Sequence, residues 1–463
     1  MFKNRAFRVL LLTSLVMVIT VSSMVVARSS NVRDSMALFT EVMKRVRDEY
    51  VDQVELDKMI EGAIRGMMGT LDPHSSFLSK KQYENLMVST HGSFGGLGIE
   101  IDIRNDWLTV IAPIEGTPAA NKGIRGGDKI VRIEGETTRG ITVTEAVEKL
   151  RGPKGSDVTI SIQRKGVDDL IDYTITRDTI KIKSVPFATL LDGNLGYIRV
   201  AAFSDDTGAE LRDALADLKG QGMEKLIIDL RRNTGGLLTQ AIEVSEQFLE
   251  EDQMIVSTKG RRPQQNREYK AGRRAAGGDY PLVILVDGSS ASASEIVAGA
   301  VQDLDRGLVV GLTTFGKGTV QSVMRLPGDN ALKLTTAKYY TPSGRCINKY
   351  EEPDDRTAYV LTDESEADST REYLTASGRV VYGGGGIHPD VKITREDMPE
   401  IASRVAREGL LFEYAVGYVA ERPALSRDFG DDPDFLEDFR DFLEKKEFEH
   451  TDEEFAEGEE YVE

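Results

Sequence analysis

The sequence is poor in several residue types that carry much of enzyme chemistry. Its 463 residues include one cysteine, one tryptophan and four histidines. The single cysteine, Cys346, excludes an intramolecular disulfide, and no histidine lies near it in the sequence to activate its thiol. No H-E-x-x-H segment is present, which excludes zinc proteases of that type. Because no intramolecular disulfide can form, stability must come from a packed apolar core.

The sequence also lacks an excess of basic over acidic residues. The formal net charge is −19, and the segment Glu421–Glu463 alone has eighteen acidic and five basic residues. No basic face is available for a phosphate backbone, which argues against a nucleic-acid partner. The region after residue 400 is predicted to be helical and then acidic, with a solvated tail as the simplest interpretation.

The N-terminus has the pattern of an export signal. Lys3, Arg5 and Arg8 precede an apolar run from Val9 to Ala27. A basic flank, an apolar segment and a small final residue are typical of a signal peptide, and about 20 apolar residues can also span a bilayer. We expect residues 1–30 to be a signal peptide or membrane anchor, and the protein to be exported to the periplasm or cell envelope. A buried N-terminal helix is the alternative.

The chain length and the hydrophobic patterns predict several domains. Residues 34–88 have apolar positions at helical spacing and are predicted to be a helical arm. Residues 89–178 are predicted to be short strands with glycine turns and a helix at Val143–Leu150. Residues 179–400 are predicted to be an α/β core in which strands alternate with helices, one of them at Leu237–Glu250. Within this core, residues 351–385 are predicted to be an insertion or loop. Residues 401–463 form the acidic helical tail.

A glycine-rich loop begins the strand-rich region. It consists of Phe94, Gly95, Gly96, Leu97, Gly98 and Ile99. Successive glycines can expose backbone N–H groups in one concavity that holds a chain-terminal carboxylate, and the strand Ile99–Ile103 could offer a free edge for peptide addition. Together with the segments Gly116–Ala120 and Gly123–Ile130, this region resembles a PDZ domain. The resemblance implies a ligand with an apolar C-terminus.

Ser292 lies between a predicted strand, Leu282–Val286, and a predicted helix, Ala293–Leu304. A serine at such a turn can use backbone N–H groups and the helix dipole to stabilise an oxyanion. The alternative is structural, because Ser292 and Glu295 also have the spacing of a helix capping box.

Lys317 lies in a glycine-flanked loop after the predicted strand Leu308–Gly311. No histidine lies in a segment typical of a catalytic triad, and a buried lysine can act as a base because burial disfavours the ammonium. An exposed surface lysine is the ordinary alternative. Gly311–Lys317 also approaches a phosphate-binding loop, but Gly318 replaces the required Ser or Thr, and the next segment is strand-like.

These segments together resemble the C-terminal processing peptidases, also called tail-specific proteases. The resemblance extends to Asp229–Gly236 and Gly385–Asp390, and covers residues 34 to about 400. It implies an α/β, crotonase-like ββα protease core with an inserted PDZ domain, an N-terminal helical arm and a C-terminal helical region. The loop Arg231–Thr234 departs from the Asn-Pro or Asn-Ser that the family often has before the glycines.

The resemblance implies a role for each matching residue. Ser292 would be the nucleophile, Lys317 the general base, and Gln321 would orient that lysine. The backbone N–H of Ala293, with that of Gly235 or Gly236, would form the oxyanion hole. The expected activity is that of a serine endopeptidase working through an acyl-enzyme, with no cofactor and no metal.

Three further expectations concern selection and control. Substrates would be exported proteins with apolar C-termini, and the membrane would be contacted only through the N-terminal segment. Arg151, which follows the predicted PDZ helix, could transmit ligand binding to the active site, although a surface arginine in a turn explains it equally well. The helical arm and the C-terminal helices could form a homodimer. A non-catalytic PDZ scaffold is the competing class of protein, which the presence of both Ser292 and Lys317 disfavours.

Overall fold

The computed structural model describes residues 32–272, 278–349, 371–393, 398–422, 435–451, 453–456 and 458. The predicted leader, residues 1–30, therefore lies outside the described residues, as do parts of the predicted insertion and of the acidic tail. Within the described ranges, no helix is both long and apolar enough to cross a bilayer.

The helices are distributed along the whole described chain. They are α1 (32–49), α2 (Leu56–Met68), α3 (Lys80–His91), α4 (Pro118–Asn121), α5 (Val143–Leu150), α6 (Thr207–Gly220), α7 (Leu238–Ser245), α8 (Ala293–Asp303), α9 (Glu400–Arg407), α10 (Leu410–Glu421) and α11 (Phe435–Lys445). Short 3₁₀ turns occur at Pro263–Gln265 and Pro327–Asp329.

The strands belong to several separate sheets. They are β1 (Ser76–Leu78), β2 (Ser93–Gly96), β3 (Ile99–Arg104), β4 (Trp107–Pro113), β5 (Lys129–Ile133), β6 (Glu136–Thr137), β7 (Asp157–Gln163), β8 (Ile171–Thr176), β9 (Asp178–Lys181), β10 (Phe187–Leu191), β11 (Leu195–Arg199), β12 (Lys225–Asp229), β13 (Met254–Gly260), β14 (Arg267–Lys270), β15 (Leu282–Val286), β16 (Leu308–Gly311), β17 (Thr319–Arg325), β18 (Ala331–Tyr340), β19 (Glu372–Leu374), β20 (Val380–Tyr382) and β21 (Val391–Lys392).

One compact unit consists of the residues up to Leu78 together with Val323–Leu334. In it, β1 pairs antiparallel with the start of β18, so that Ser76 faces Lys333 and Leu78 faces Ala331. The apolar stripe that the sequence predicts on α1 is largely exposed, with Met36, Phe39, Val42 and Val46 all accessible to solvent. Exposed apolar residues at helical spacing are available for a further contact.

The second compact unit, Ser79–Ser322 with Thr335–Glu463, contains the PDZ-like region. Its antiparallel sheet has the order β3-β4-β5-β7-β8, with β6 paired to β5. Alternate residues point into one core, where Leu108, Val110, Ile130, Ile160 and Ile162 are fully buried. The chain enters and leaves this region through an antiparallel two-strand ribbon of β2 and β9.

A six-stranded sheet forms the α/β core of the same unit. Its order is β10-β11-β12-β15-β16-β21, with β10 antiparallel to β11 and the other pairs parallel. Helices α6, α7 and α8 contribute apolar side chains to its core, and every residue of α8 is buried. Because the carboxyl ends of parallel strands lie at one edge of a sheet, the loops after β12, β15 and β16 converge there.

A second set of strands reaches the same region. The second half of β18 pairs antiparallel with β13, so that Tyr339 faces Thr258, and β13 pairs with β14. β17 also pairs with β18. The strand-like segment predicted after Gly318 corresponds to β17, whereas β13, β14 and β18 were not predicted.

The residues after 400 pack instead of forming the expected solvated tail, as far as the structure describes them. Ile401, Val405, Leu410, Leu443 and Phe448 share a buried apolar cluster. α10 also contacts the PDZ-like sheet, where the Arg104 guanidinium lies 4.3 Å from the centre of the Phe412 ring. The apolar residues that lie between the acidic ones form this cluster.

Two local expectations differ from the structure. The helix predicted over residues 237–250 ends at Ser245, and turns follow it. The predicted loop at 351–385 contains the hairpin of β19 and β20 within its described part. The fold class itself is confirmed: an α/β core, a PDZ-like domain and helical regions at both ends of the described chain.

Candidate active site

Ser292 has an unusual backbone conformation immediately before α8. Its φ is 55° and its ψ is −110°, a combination that residues with a side chain rarely adopt. Such a conformation costs about 1–3 kcal/mol and persists only where surrounding contacts hold it. The backbone around Ser292 is therefore fixed by its neighbours rather than by its own preference.

The capping box considered as the alternative is present in the structure. Glu295 Oε2 accepts a hydrogen bond of 2.7 Å from the backbone N–H of Ser292, and the Ser292 side chain faces the backbone N–H of Glu295 in return. A capping role and a catalytic role of Ser292 are therefore both compatible with this geometry.

Glu295 connects the Ser292 loop to the Lys317 loop. Its Oε1 accepts bonds from the Thr314 hydroxyl (2.6 Å) and the Gly316 N–H (2.7 Å), and its Oε2 accepts bonds from the N–H groups of Ser292 (2.7 Å) and Lys317 (2.9 Å). Burial raises the pKa of the Glu295 carboxyl, and these four hydrogen bonds work in the opposite direction. One fully buried carboxylate thus holds both predicted catalytic segments.

Tyr339, on β18, reaches the same two residues from their carbonyl side. Its hydroxyl lies 3.2 Å from the Ser292 carbonyl oxygen and also donates to the Lys317 carbonyl oxygen. Burial, followed by the charges of Glu295 and Cys346, raises the pKa of Tyr339 well above its usual value. The phenol therefore remains protonated and can act as a donor.

The two glycines after Asn233 differ in how their N–H groups are used. The Gly235 N–H donates to Asn233 Oδ1 at 2.9 Å, whereas the Gly236 N–H has no recorded acceptor among the described residues. Gly235 has a φ of 98°, and a Cβ added there would lie 2.8 Å from the Ser292 Cβ. This position therefore requires glycine, both for its backbone conformation and for its close approach to Ser292.

Asn233 fastens this glycine loop to the Ser292 loop. Its carbonyl oxygen accepts bonds from the Ala291 N–H (3.0 Å) and the Ser294 hydroxyl (2.9 Å), and its amide nitrogen donates to the Val200 carbonyl (2.8 Å). Asn233 is fully buried. The departure of this loop from the family pattern thus leaves its asparagine in a well-defined structural role.

Gln321 is placed differently from the sequence-based expectation. Its amide nitrogen donates to the Thr319 hydroxyl at 2.9 Å and approaches the Thr335 hydroxyl at 3.4 Å. Residues 319 and 321 lie two positions apart on β17, so their side chains share one face of the strand. The described hydrogen bonds of Gln321 are to Thr319 and Thr335.

Two histidines have partners away from Ser292. His91 Nδ1 lies 2.6 Å from Asp205 Oδ2, and His388 Nδ1 lies 3.4 Å from the Thr313 hydroxyl. Burial lowers the pKa of His388, with further contributions from the charges of Arg345 and Lys392. In the described parts of the chain, no group of three or more His, Cys, Asp or Glu side chains could hold a metal ion.

The glycine loop of the PDZ-like region leads directly into β3. β3 is at the edge of its sheet, and α5 packs beside it. Within the described ranges, the N–H groups of Leu97 and Gly98 have no recorded acceptor. The loop is held in place from behind, because the Leu97 carbonyl accepts the Ala119 N–H at 3.0 Å.

Arg151 bridges this loop and α3. Its guanidinium lies 4.3 Å from the centre of the Phe94 ring, and its Nη1 lies 3.5 Å from Asn85 Oδ1. The next residue, Gly152, donates its N–H to the Gly95 carbonyl at 3.2 Å. Arg151 is therefore in contact with the glycine loop rather than isolated on the surface.

Comparison with known families agrees with this arrangement of domains. Residues 194–357 match the model of peptidase family S41, and residues 86–163 match the PDZ domain. Residues 18–82 match the model described as the activating protease CtpB N-terminal domain.

A named relative decides the family. The carboxy-terminal-processing protease of Bartonella bacilliformis is 41% identical over 335 residues, which cover 72% of this chain and 76% of the relative. The chain belongs to peptidase family S41. It is a carboxy-terminal processing protease, a serine-type peptidase with a PDZ domain.

A second relative of this S41 peptidase agrees. The carboxy-terminal processing protease CtpA of Bacillus subtilis is 34% identical over 330 residues, covering 71% of this chain and 70% of the relative. Among solved structures, a photosystem II D1 C-terminal processing protease matches with a TM-score of 0.42 and 29% identity, covering 80% of this chain and 96% of that one.

Sequence reasoning about this S41 peptidase missed two residues of the site. Glu295 was considered only as a helix cap, although its carboxylate also binds the Lys317 loop. Tyr339 was not considered, because its strand was not predicted and its partners lie 47 and 22 residues away. A buried acidic residue inside an otherwise apolar helix was the one available signal for Glu295.

Proposed function

We propose that Ser292 and Lys317 form the catalytic dyad of this serine peptidase. The observation that carries the proposal is the Glu295 carboxylate, whose Oε2 accepts the backbone N–H groups of both residues. A shared buried acceptor keeps the two segments at a fixed separation, which a nucleophile and its base require. The strained backbone of Ser292, which its neighbours hold in place, supports the same assignment.

The oxyanion hole is proposed to consist of the backbone N–H groups of Ala293 and Gly236. Gly235, the other candidate, already donates its N–H to Asn233. Ala293 is the first residue of α8, so the helix dipole reinforces its N–H.

In the proposed reaction, the Ser292 hydroxyl attacks a peptide carbonyl while Lys317 accepts its proton. Lys317 then protonates the leaving amine, and water hydrolyses the acyl-enzyme. Gln321 would orient Lys317 once its amide leaves Thr319. No cofactor takes part.

The PDZ domain is proposed to select substrates by their apolar C-termini. The free edge of β3 can pair with an extended peptide, and the N–H groups of Leu97 and Gly98 can bind its terminal carboxylate. The substrates would be exported proteins, because the basic and apolar N-terminal segment of the sequence predicts export to the periplasm or envelope.

The dyad is tested on an unfolded protein with an apolar C-terminus. Ser292→Ala and Lys317→Ala should each abolish cleavage, and the neighbouring variants Ser289→Ala and Lys349→Ala serve as matched controls with retained activity. Retained cleavage in either dyad variant would refute the assignment.

Selection by the C-terminus is tested with pairs of substrates that differ only in their last residues. A substrate ending in alanines should be cleaved faster than one ending in aspartates, and amidation of the terminal carboxylate should remove the preference. Equal rates for all three substrates would contradict the proposed role of the groove.

The gating role of Arg151 and the homodimer have separate tests. Arg151→Ala should reduce the stimulation of cleavage by an added PDZ-binding peptide, since it breaks the contact with Phe94. Unchanged stimulation would remove Arg151 from the mechanism. Light scattering on the intact chain should give the mass of a dimer, and a monomeric mass counts against it.

A further inference from the structure

The two proposed catalytic residues are bound through both their backbone N–H groups and their backbone carbonyl oxygens. On the amide side, Glu295 Oε2 accepts the N–H groups of Ser292 and Lys317. On the carbonyl side, the Tyr339 hydroxyl reaches the carbonyl oxygens of the same two residues. Each of the two residues is thus held through its backbone N–H and through its carbonyl oxygen, and each of the two partners is shared between the nucleophile and the base.

We propose that Tyr339 is a positioning residue for catalysis, whose hydroxyl holds the Ser292 and Lys317 carbonyl groups in a fixed relation. This inference rests on the proposed Ser292–Lys317 dyad. Tyr339 does not touch the reacting atoms. It acts on them through the two carbonyl groups.

The Tyr339 hydroxyl forms specific hydrogen bonds to the two proposed catalytic segments in a buried environment, in addition to the packing of its ring. The side chain is 1% exposed, so water cannot replace the phenol without entering the core. The Ser292 carbonyl also accepts the Ile296 N–H at 3.0 Å, so it remains bonded to the helix when the phenol is removed. The tie from Tyr339 is therefore the one that links this carbonyl to the Lys317 loop.

The backbone of Ser292 explains why such a tie is needed. With a φ of 55° and a ψ of −110°, Ser292 would relax if its contacts were loosened. A small rotation about its backbone moves the hydroxyl away from the base. Misplacement of a reacting group by about 1 Å can reduce a rate by about 100-fold.

The strand that carries Tyr339 is itself well anchored. β18 pairs with β13 in this region, where Tyr339 faces Thr258. The Tyr339 N–H donates to the Gly318 carbonyl at 3.0 Å, next to Lys317. The hydroxyl therefore extends from a fixed strand to two loops, and substitution of the hydroxyl alone leaves the strand in place.

Tyr339→Phe removes the hydroxyl and retains the ring. We expect kcat to fall by about tenfold or more, with KM within about twofold of its original value, because the groove and the substrate contacts are unchanged. Measurements are made on the full chain at 25 °C, well below the melting temperature of the variant, which is recorded in parallel.

Tyr280→Phe is the matched control. Among the described residues, the buried Tyr280 hydroxyl has no hydrogen-bond partner, so its removal should leave kcat unchanged and should not lower the melting temperature. A second readout is the rate at which a fluorophosphonate labels Ser292, which requires the nucleophile and base but no peptide in the PDZ groove. Tyr339→Phe should slow this labelling by a factor similar to the fall in kcat.

Three results would overturn the inference: a kcat within twofold of the original, a rise in KM that accounts for the loss, or labelling at the original rate. Failure of the dyad itself gives a different pattern. In that case Lys317→Ala retains cleavage and labelling, whatever Tyr339→Phe does.

Discussion

Glu295 offers the sharpest test of how the site is held together. Its two carboxylate oxygens accept four hydrogen bonds inside a core from which water is excluded. Glu295→Gln keeps the shape of the side chain but replaces one acceptor oxygen with an amide donor. In either orientation of the amide, its NH₂ group faces two groups that donate to a carboxylate oxygen in the original protein.

The less costly orientation can be worked out from the partners. If the amide NH₂ faces Ser292 and Lys317, two backbone N–H groups lose their acceptor. If it faces Thr314 and Gly316, the Thr314 hydroxyl can accept from it while its own proton turns to another acceptor, and the Gly316 N–H is left as the backbone donor without an acceptor. One buried unsatisfied donor costs about 1–3 kcal/mol, so Glu295→Gln should lower the free energy of unfolding by about 2 kcal/mol.

Glu295→Ala removes all four acceptor contacts at once. We expect a loss of about 4 kcal/mol in the free energy of unfolding, reduced from the full sum because the charge no longer has to be buried. Its kcat should fall well below that of Glu295→Gln, which retains the bonds to Ser292 and Lys317.

Urea unfolding at neutral pH measures the stabilities, and cleavage of an unfolded substrate measures kcat. Glu250→Gln, at an exposed turn position, is the control and should lie within about 0.5 kcal/mol of the original protein. The reasoning is refuted if Glu295→Ala is as stable as that control, or if it cleaves as fast as Glu295→Gln.

Three other substitutions test separate features. Arg345→Met should lower the free energy of unfolding by about 3–5 kcal/mol, because its partner Asp303 remains buried and charged, and the added change Asp303→Leu should restore part of it; a loss below 1 kcal/mol would contradict this. Burial alone would raise the pKa of Asp305, but hydrogen bonds from its neighbours lower it from 3.8 to about 2. Asp305→Asn should therefore cost about 1 kcal/mol at pH 7, after allowance for its partial exposure, and the difference in urea unfolding should disappear as the pH falls from 3.8 through about 2. Gly236→Ala places a Cβ 2.1 Å from the Phe203 carbonyl oxygen, so kcat should fall by about 100-fold while peptide binding to the PDZ domain, measured by fluorescence anisotropy, is unchanged; equal activity would exclude Gly236 from the oxyanion hole.

The parts of this fold that could be predicted from the sequence are those that local sequence patterns specify. The structure has α5 over Val143–Leu150, the range predicted for it, and Thr142 and Glu145 form a complete capping box at its start. The strand Leu282–Val286 was also predicted with its observed bounds, since a short apolar run ends at the turn residues Asp287 and Gly288.

The missed parts depend on contacts between distant residues. Tyr339 lies on a long strand whose partners come from two other regions of the chain, and no periodicity specifies that pairing. The convergence of the Ser292 and Lys317 loops was predicted only by resemblance to a family. The connection of these loops through Glu295 could not be predicted, because a capping residue and a residue that bridges two loops have the same sequence pattern.

The ribbon of β2 and β9 has a consequence for how such a protein can be altered. Ser93 is paired with Lys181 and Gly96 with Asp178, so the chain leaves the PDZ domain beside the point at which it enters. A segment with adjacent ends can be exchanged for another of different length without disturbing the sheet that carries the proposed dyad. The PDZ domain should therefore be replaceable at this ribbon if its contacts with α3 and α10 are retained, and the proposed preference for substrate ends could be changed in this way while the hydrolytic core is kept.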